Sequence, residues 1–173
     1  MANKKGAIVA IEPNTGELLA LVSAPSYNPN LLVGRERSKN YFELYKDSIY
    51  RPLIDKGLLS TFPAGSPFKI IVGLIALEQN VIDDKSTIYC NGEYIYGRNK
   101  KSMKCHCGGG YRNIYNGISE SCNSYFADVY RKTITVDNNI SDNFDKWSEN
   151  VKSFGLGNYL GNDLTVGKKG MIP

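Results

Sequence analysis

Ser66-Pro67-Phe68-Lys69 is the first stretch whose residue types and spacing could do chemistry. On a helix, residues three apart share a face, so the Lys69 amine can reach the Ser66 hydroxyl. A lysine in the first turn of an apolar helix meets the positive end of the helix dipole and partial desolvation, and both favour a neutral amine. A neutral amine can take the serine proton and leave Ser66 a nucleophile. The plainer reading is a capping serine beside a surface lysine, and two fixed residues are a weak pattern, although this is the only S-x-x-K in the chain. Ser121-Cys122-Asn123 offers a second hydroxyl and an amide, which could relay a proton and hold a substrate carbonyl. S-x-N also occurs at Ser26, Ser38, Ser141 and Ser148, so only the position of Ser121, at a break between two helical stretches, favours it. Cys105-His106-Cys107, with Cys90 upstream, supplies four donors of the kind that close a structural zinc site. C-x-C is tighter than the usual zinc spacing, so a Cys90–Cys105 disulfide across a hairpin and free buried thiols stand beside the metal reading. Cys122 is expected to pack in the core. Arg98, Lys100, Lys101, Lys104 and Arg112 form a basic cluster that reads as a solvated loop. It could attract an anionic polymer, but nothing beside it reads bases.

The elements that must position these residues are legible from pattern. Residues 6–12 and 17–23 are two short apolar runs joined by Pro13-Asn14-Thr15-Gly16, which predicts a β-hairpin. Residues 24–30 are loop, and residues 38–48 are weakly helical, with Tyr41, Leu44 and Tyr45 at helical spacing. Ser66 with Pro67 at the first helical position starts a helix that runs to about Glu78 and is apolar almost all round, as a buried central helix is. Residues 84–112 read as strands and loops, interrupted by the glycines at 108–110. A second helical region covers 113–133, with a break near 120–123, and a third fits 143–154 from the spacing of Phe144, Trp147, Val151 and Phe154. Gly155 and Gly157 stop it, and the tail from residue 161 is turn-rich.

The chain has 173 residues, 42% hydrophobic and 22% charged, which suits one compact domain or a short pair of subdomains and excludes a disordered or collagen-like chain. A net charge of +4 is too mild and scattered to argue for nucleic acid. The longest strongly apolar run, Ile70 to Leu77, falls well short of the roughly 20 residues a bilayer span needs. The N-terminus reads as neither a signal peptide nor an anchor, so any targeting segment is expected outside this chain. Four cysteines in this length are not a disulfide scaffold, and they leave the redox compartment open.

Longer contexts carry a resemblance. GAIVAIEPNTGELLALVSAPSYNPN, RPLIDKGLLSTFPAGSPFK, ISESCNSYF and FGLGNYLGNDLTVGKKGMIP resemble the transpeptidase domain of class B penicillin-binding proteins, nearest to the cell-elongation type, penicillin-binding protein 2. The likeness runs from about Lys5 to Pro173. It implies an α+β fold, a partial penicillin-binding transpeptidase fold of the serine β-lactamase kind. The N-terminal β-hairpin and the helical subdomain would be present and the remaining sheet strands would lie beyond this chain. It implies Ser66 as the acylated nucleophile, Lys69 as its general base, Ser121 as a relay towards the leaving amine and Asn123 as a ligand of the substrate's peptide carbonyl. The middle place of the second motif is Cys122, which the family tolerates. The third motif, K-[ST]-G, occurs nowhere in the sequence: Lys85-Ser86, Lys101-Ser102 and Lys132-Thr133 are each followed by another residue. In the family it binds the substrate carboxylate and supplies one oxyanion N–H, so residues 1–173 are expected to be a transpeptidase domain truncated before that motif and impaired in rate.

The implied function is a peptidoglycan D,D-transpeptidase that works through an acyl-serine on D-Ala-D-Ala stem peptides. The implied partners are stem peptides, β-lactam antibiotics and membrane proteins of the elongation machinery, and the place is the outer face of the bacterial cytoplasmic membrane. No cofactor is required for that chemistry. The competing readings are a penicillin-recognising sensor that keeps Ser66 without turnover, a β-lactamase, and a structural domain with a decayed site. The contexts at 24–30 and 117–126 look like the synthase and disfavour the β-lactamase.

Overall fold

The computed structural model describes residues 4–159, 164 and 167–172. Part of the turn-rich tail, residues 161–163, 165, 166 and 173, therefore lies outside the described residues. The chain divides into two compact units, Met1–Phe62 with Tyr159–Lys169, and Pro63–Asn158 with Gly170–Pro173.

The first unit opens with the expected hairpin. Strands β1 (Gly6–Ile11) and β2 (Leu18–Ala24) pair antiparallel from Gly6 opposite Ala24, with a register shift after Ala10. The turn is closed by the Glu12 N–H donating to the Glu17 carbonyl at 2.9 Å and the Gly16 N–H to that of Glu12 at 2.8 Å. Gly16 takes φ +78°, the left-handed backbone that suits glycine. A 3₁₀ turn at Pro29–Leu32 and helix α1 (Arg37–Lys46) follow, the latter close to the expected 38–48. A short helix that the sequence pattern did not signal, α2 (Lys56–Leu59), is capped by Asp55, whose carboxylate accepts from the Gly57 and Leu58 N–H groups. Lys56 is the one fully buried residue among those described in this unit. Its Nζ donates to the Arg51 carbonyl at 3.1 Å. Burial, helped by the charges of Lys5 and Arg51, holds its pKa below the ordinary lysine value.

The second unit holds the core. Helix α3 (Phe68–Glu78) buries Val72, Ile75 and Ala76, which the 3.6-residue period places on one side. It starts two residues after Ser66 because the first turn is wound tighter: the Phe68 and Lys69 N–H groups donate three residues back, to Gly65 and Ser66. Residues 84–112 form two small antiparallel sheets, one nested in the other along the chain. Strand β3 (Ile88–Cys90) pairs with β6 (Gly110–Arg112), and β4 (Glu93–Tyr96) pairs with β5 (Lys101–Lys104). The second helical region does break where expected, into α4 (Ile114–Ser119) and α5 (Asn123–Ile134). The third helix, α6 (Ile140–Ser153), starts three residues before the predicted 143. Asn139 caps it by accepting from the Asp142 N–H, a polar signal that the aromatic spacing did not contain.

Val72, Ile75, Tyr125, Phe126, Val129, Trp147 and Val151 make the centre of the core. Trp147 of α6 meets Tyr130 of α5 at 5.0 Å between ring centroids, and Phe68 of α3 at 6.1 Å, both edge-to-face. This aromatic junction fixes the first turn of α3 against α5 and α6, and with it the chain that carries Ser66. Gly73 lets α3 approach α4 closely, since a Cβ there would stand 3.1 Å from Ile114 Cδ1.

Candidate active site

The turn between α4 and α5 is what brings the second motif to the first. The Ser121 N–H donates to the Ile118 carbonyl at 3.0 Å, and the Cys122 N–H to that of Gly117 at 2.8 Å. These two bonds are the Schellman closure of a helix C-terminus, and its left-handed position, usually a glycine, is Ser121 at φ +53°. Cys122 then caps α5, its Sγ accepting from the Tyr125 N–H at 3.4 Å. One tight turn therefore ends α4, starts α5 and presents Ser121 and Asn123 beside the first turn of α3.

There the four sequence-predicted residues come together. The Lys69 Nζ donates to the Ser121 carbonyl at 2.7 Å, to Ser121 Oγ at 2.9 Å and to Asn123 Oδ1 at 2.6 Å. All three of its protons are thereby used. Ser121 Oγ in turn donates to Ser66 Oγ at 2.9 Å. Lys69 thus connects to Ser66 through the Ser121 hydroxyl rather than directly. The same amine lies 6.0 Å from the centroid of the buried Phe126 ring, within cation–π range. Asn123 is oriented from its other end, where Nδ2 donates to the Lys104 carbonyl at 3.0 Å. Its second Nδ2 proton is left for another acceptor. Ser66 is solvent-exposed and Lys69 half-buried, so the nucleophilic end of this chain of bonds opens to solvent.

Behind the turn lies a sulfur knot. The Sγ atoms of Cys90, Cys105, Cys107 and Cys122 all fall within 4.8 Å of one another, and all four are free thiols. Cys105 is 3.0 Å from Cys107 and 3.5 Å from Cys122, and Cys90 is 3.6 Å from Cys107. The expected donor set is corrected in one member: His106 is exposed and stands outside the group, and Cys122 takes its place. Strand geometry explains the exchange, because neighbours in an extended segment point to opposite sides and only Cys105 and Cys107 can face inward together. Cys122 is wholly buried, as expected of a core residue, yet it is also the fourth sulfur. Burial opposes ionisation of Cys105, but the Ser124 N–H and the neighbouring thiols more than offset it and bring its pKa down to about 5. Burial pushes the Cys107 and Cys122 thiols up. Tetrahedral zinc with Zn–S bonds of about 2.3 Å needs sulfurs about 3.8 Å apart; the knot's separations, from 3.0 Å to no more than 4.8 Å, lie on either side of that value. The knot also touches the motif directly, since the Asn123 N–H donates to Cys105 Sγ at 3.1 Å.

Residues 6–173 match the family described as penicillin binding protein transpeptidase domain. The chain is 34% identical to the peptidoglycan D,D-transpeptidase MrdA of Acinetobacter baumannii, over 100% of this chain and 25% of that protein. It is 33% identical to MrdA of Escherichia coli K12, over 100% of this chain and 26% of that protein. The chain thus spans about a quarter of the length of these relatives. Among solved structures it resembles Pseudomonas aeruginosa PBP2 in complex with WCK 5153, with a TM-score of 0.81 and 33% identity over 99% of this chain and 37% of that one. It also resembles PBP2 in its complex with MreC from Helicobacter pylori, with a TM-score of 0.79 and 31% identity over 99% of this chain and 30% of that one. The α+β arrangement of a hairpin and a helical subdomain is that of part of the penicillin-binding fold. By a match over residues 6–173 and by fold, this chain belongs to the transpeptidase domain family of penicillin-binding proteins, and within it to the penicillin-binding protein 2 type.

Proposed function

We propose that the chain supplies the acylating half of a peptidoglycan D,D-transpeptidase. The observation that carries this reading is the hydrogen-bonded series Ser66–Ser121–Lys69, closed by Asn123. Ser66 Oγ attacks the carbonyl carbon of a D-Ala-D-Ala peptide bond. The step needs Lys69 as the neutral amine and the two hydroxyl bonds reversed, with Ser66 donating to Ser121 Oγ and Ser121 donating to Lys69 Nζ; the Ser66 proton then passes to Ser121 Oγ, whose own proton passes to the amine. The same relay returns a proton to the leaving D-Ala nitrogen as the C–N bond breaks, which leaves an ester on Ser66. The free Nδ2 proton of Asn123 binds the substrate's peptide carbonyl. An amine of a neighbouring stem peptide then takes the acyl group and frees Ser66. The carboxylate-binding K-[ST]-G motif is absent from residues 1–173, so this chain by itself forms the acyl-enzyme slowly, by a factor of about 10²–10³ for one missing oxyanion donor.

Residues 1–173 are the N-terminal and helical part of the transpeptidase domain. β-Lactams occupy the same site as the stem peptide. The solved imipenem and penicillin G acyl-enzyme complexes of penicillin-binding protein A from M. tuberculosis support β-lactams as ligands of the whole protein, and the PBP2–MreC complex from Helicobacter pylori supports a protein partner of the elongation machinery. Its place is the outer face of the cytoplasmic membrane. No helix among the described residues is long and apolar enough to cross a membrane. The decisive experiment is mass spectrometry after penicillin treatment. The full-length protein gains the mass of one opened penicillin on the peptide containing Ser66, and the Ser66→Ala variant gains none. Labelling that persists in the Ser66→Ala variant ends the nucleophile assignment. A protein that labels at Ser66 but never crosslinks stem peptides is the sensor instead.

The acyl transfer itself needs no cofactor. The four sulfurs support a separate structural role: Cys90, Cys105, Cys107 and Cys122 would hold one zinc ion as thiolates and so tie β3, the end of β5 and the start of α5 together. Metal analysis of the purified chain is expected to find one zinc per molecule, and a Cys90→Ser variant to bind it weakly and melt earlier. Four titratable thiols with no zinc after purification in zinc-containing buffer would exclude this role.

A further inference from the structure

We propose that the β4–β5 hairpin is a docking arm for acidic peptides, namely the carboxylate-bearing stem peptides of the polymer strand that delivers substrate to Ser66. The inference rests on the transpeptidase reading for the identity of that strand. Its first support is where the arm is rooted. The Lys104 carbonyl at its base accepts from Asn123 Nδ2 at 3.0 Å, and the Cys105 N–H closes the base by donating to the Gly92 carbonyl at 2.8 Å. The arm is thus rooted beside the residue proposed to hold the substrate carbonyl, and Cys105 at its base joins the sulfur knot.

Its second support is charge. Between residues 93 and 104 lie Arg98, Lys100, Lys101 and Lys104 against the single acid Glu93. Elsewhere in this unit the arginines and lysine of β6 and α5 are spent on neighbours: Arg112 pairs with Glu120, and Arg131 and Lys132 share Asp128. The four arm cations are exposed and make no ion pair among the described residues. The turn adds a third observation. Lys100 sits at φ +49°, a left-handed backbone where glycine or asparagine is less strained, and Asn99 is its immediate neighbour.

The dimensions suit a peptide. A strand advances about 3.3 Å per residue, so Lys101 lies roughly 10 Å beyond Lys104 and the turn a little farther. An extended pentapeptide spans about 17 Å. A stem peptide with its scissile end at Ser66, or a neighbour on the same strand, can therefore lay carboxylates along the arm. An anionic membrane would call for charge at the tip alone, whereas here it continues down β5 to the catalytic asparagine.

The test uses the full-length protein and soluble uncrosslinked peptidoglycan strands, with binding followed at low and high salt. An Arg98→Gln/Lys100→Gln/Lys101→Gln variant alters only exposed residues of the turn and the first position of β5. It is expected to bind the strands about tenfold more weakly at low salt, with the difference shrinking to about twofold in 0.5 M salt. A Lys100→Arg/Lys101→Arg variant binds as the parent does, and strands with amidated carboxylates bind the parent as weakly as they bind the glutamine variant. Penicillin labelling of Ser66 stays unchanged in both variants, because a β-lactam is too small to reach the turn. Undiminished strand binding by the glutamine variant overturns the proposal. So does a cation-dependent attachment to phosphatidylglycerol vesicles with none to the strands. If Ser66 never labels in the parent while strand binding still depends on the three cations, the catalytic reading falls and the docking arm stands.

Discussion

Ser121 occupies a left-handed backbone that costs an L-residue with a Cβ about 1–2 kcal/mol, at the helix-ending position where glycine is the usual choice. What offsets that cost is its hydroxyl, which accepts from Lys69 and donates to Ser66. A Ser121→Gly variant relieves the backbone and removes the relay. Its thermal midpoint is expected to hold or rise slightly, while the rate of penicillin acylation at Ser66 falls by about 10²–10⁴, the usual range for a lost acid–base group. Stopped-flow labelling beside thermal unfolding separates the two effects, and an unchanged acylation rate would remove Ser121 from the mechanism. Helical spacing offered Ser66 and Lys69 only as a weak two-residue pattern, and it was the longer contexts around them that singled the pair out. Ser121 was legible only through its place at a helix break, because four other S-x-N patterns compete with it. That Ser121 stands between Lys69 and Ser66 was not legible, since it depends on a φ value that serine rarely adopts.

At the scale of elements, the long periodic segments could be read and the short ones could not. The hairpin, α3, the broken helix and α6 all carry apolar periodicity or strong turn chemistry, and their ends differ from the pattern by only a few residues. Strands β3 to β6 are three or four residues each, too short for alternation to show which pairs with which. Their nesting follows instead from long-range groups: the Cys105 N–H bond to Gly92, and the four sulfurs that meet behind it. Cysteine spacing hinted at a cluster and chose the wrong fourth donor, because His106 is adjacent in sequence and Cys122 becomes adjacent only once α4 and α5 have folded. Helix α2 is four residues long and is held by one Asp55 cap, with no periodicity to detect. The same nesting links chemistry to stability. Asn123 donates its backbone N–H to Cys105 Sγ and its Nδ2 to the carbonyl of Lys104 at the end of β5, so loosening the knot moves a residue that is hydrogen-bonded to Lys69.

For the molecule as a whole, the distribution of burial decides how the chain behaves on its own. The helical unit encloses a core of aromatic and aliphatic side chains, and it can hold its shape by that core. The hairpin has nothing comparable. Ile8, Ile11 and Leu19 are 51%, 54% and 66% exposed, and Val9 and Val22 are also exposed, so apolar groups lie open on both faces of a two-stranded sheet. Two strands alone are marginal in water, and a strand edge with free N–H and C=O groups is a template for pairing. Residues 1–173 in isolation are therefore expected to associate through β1 and β2 with concentration. Sedimentation velocity from about 1 to 100 μM should show a rising weight-average mass, while the far-UV spectrum of the helical unit stays constant. A Val9→Lys substitution places a charge on the exposed strand, where lysine blocks edge pairing, and should keep the chain monomeric over that range without reducing helical content. A parent chain that stays monomeric at every concentration would mean that the hairpin satisfies its own edges, and the apolar faces would then need another explanation than pairing.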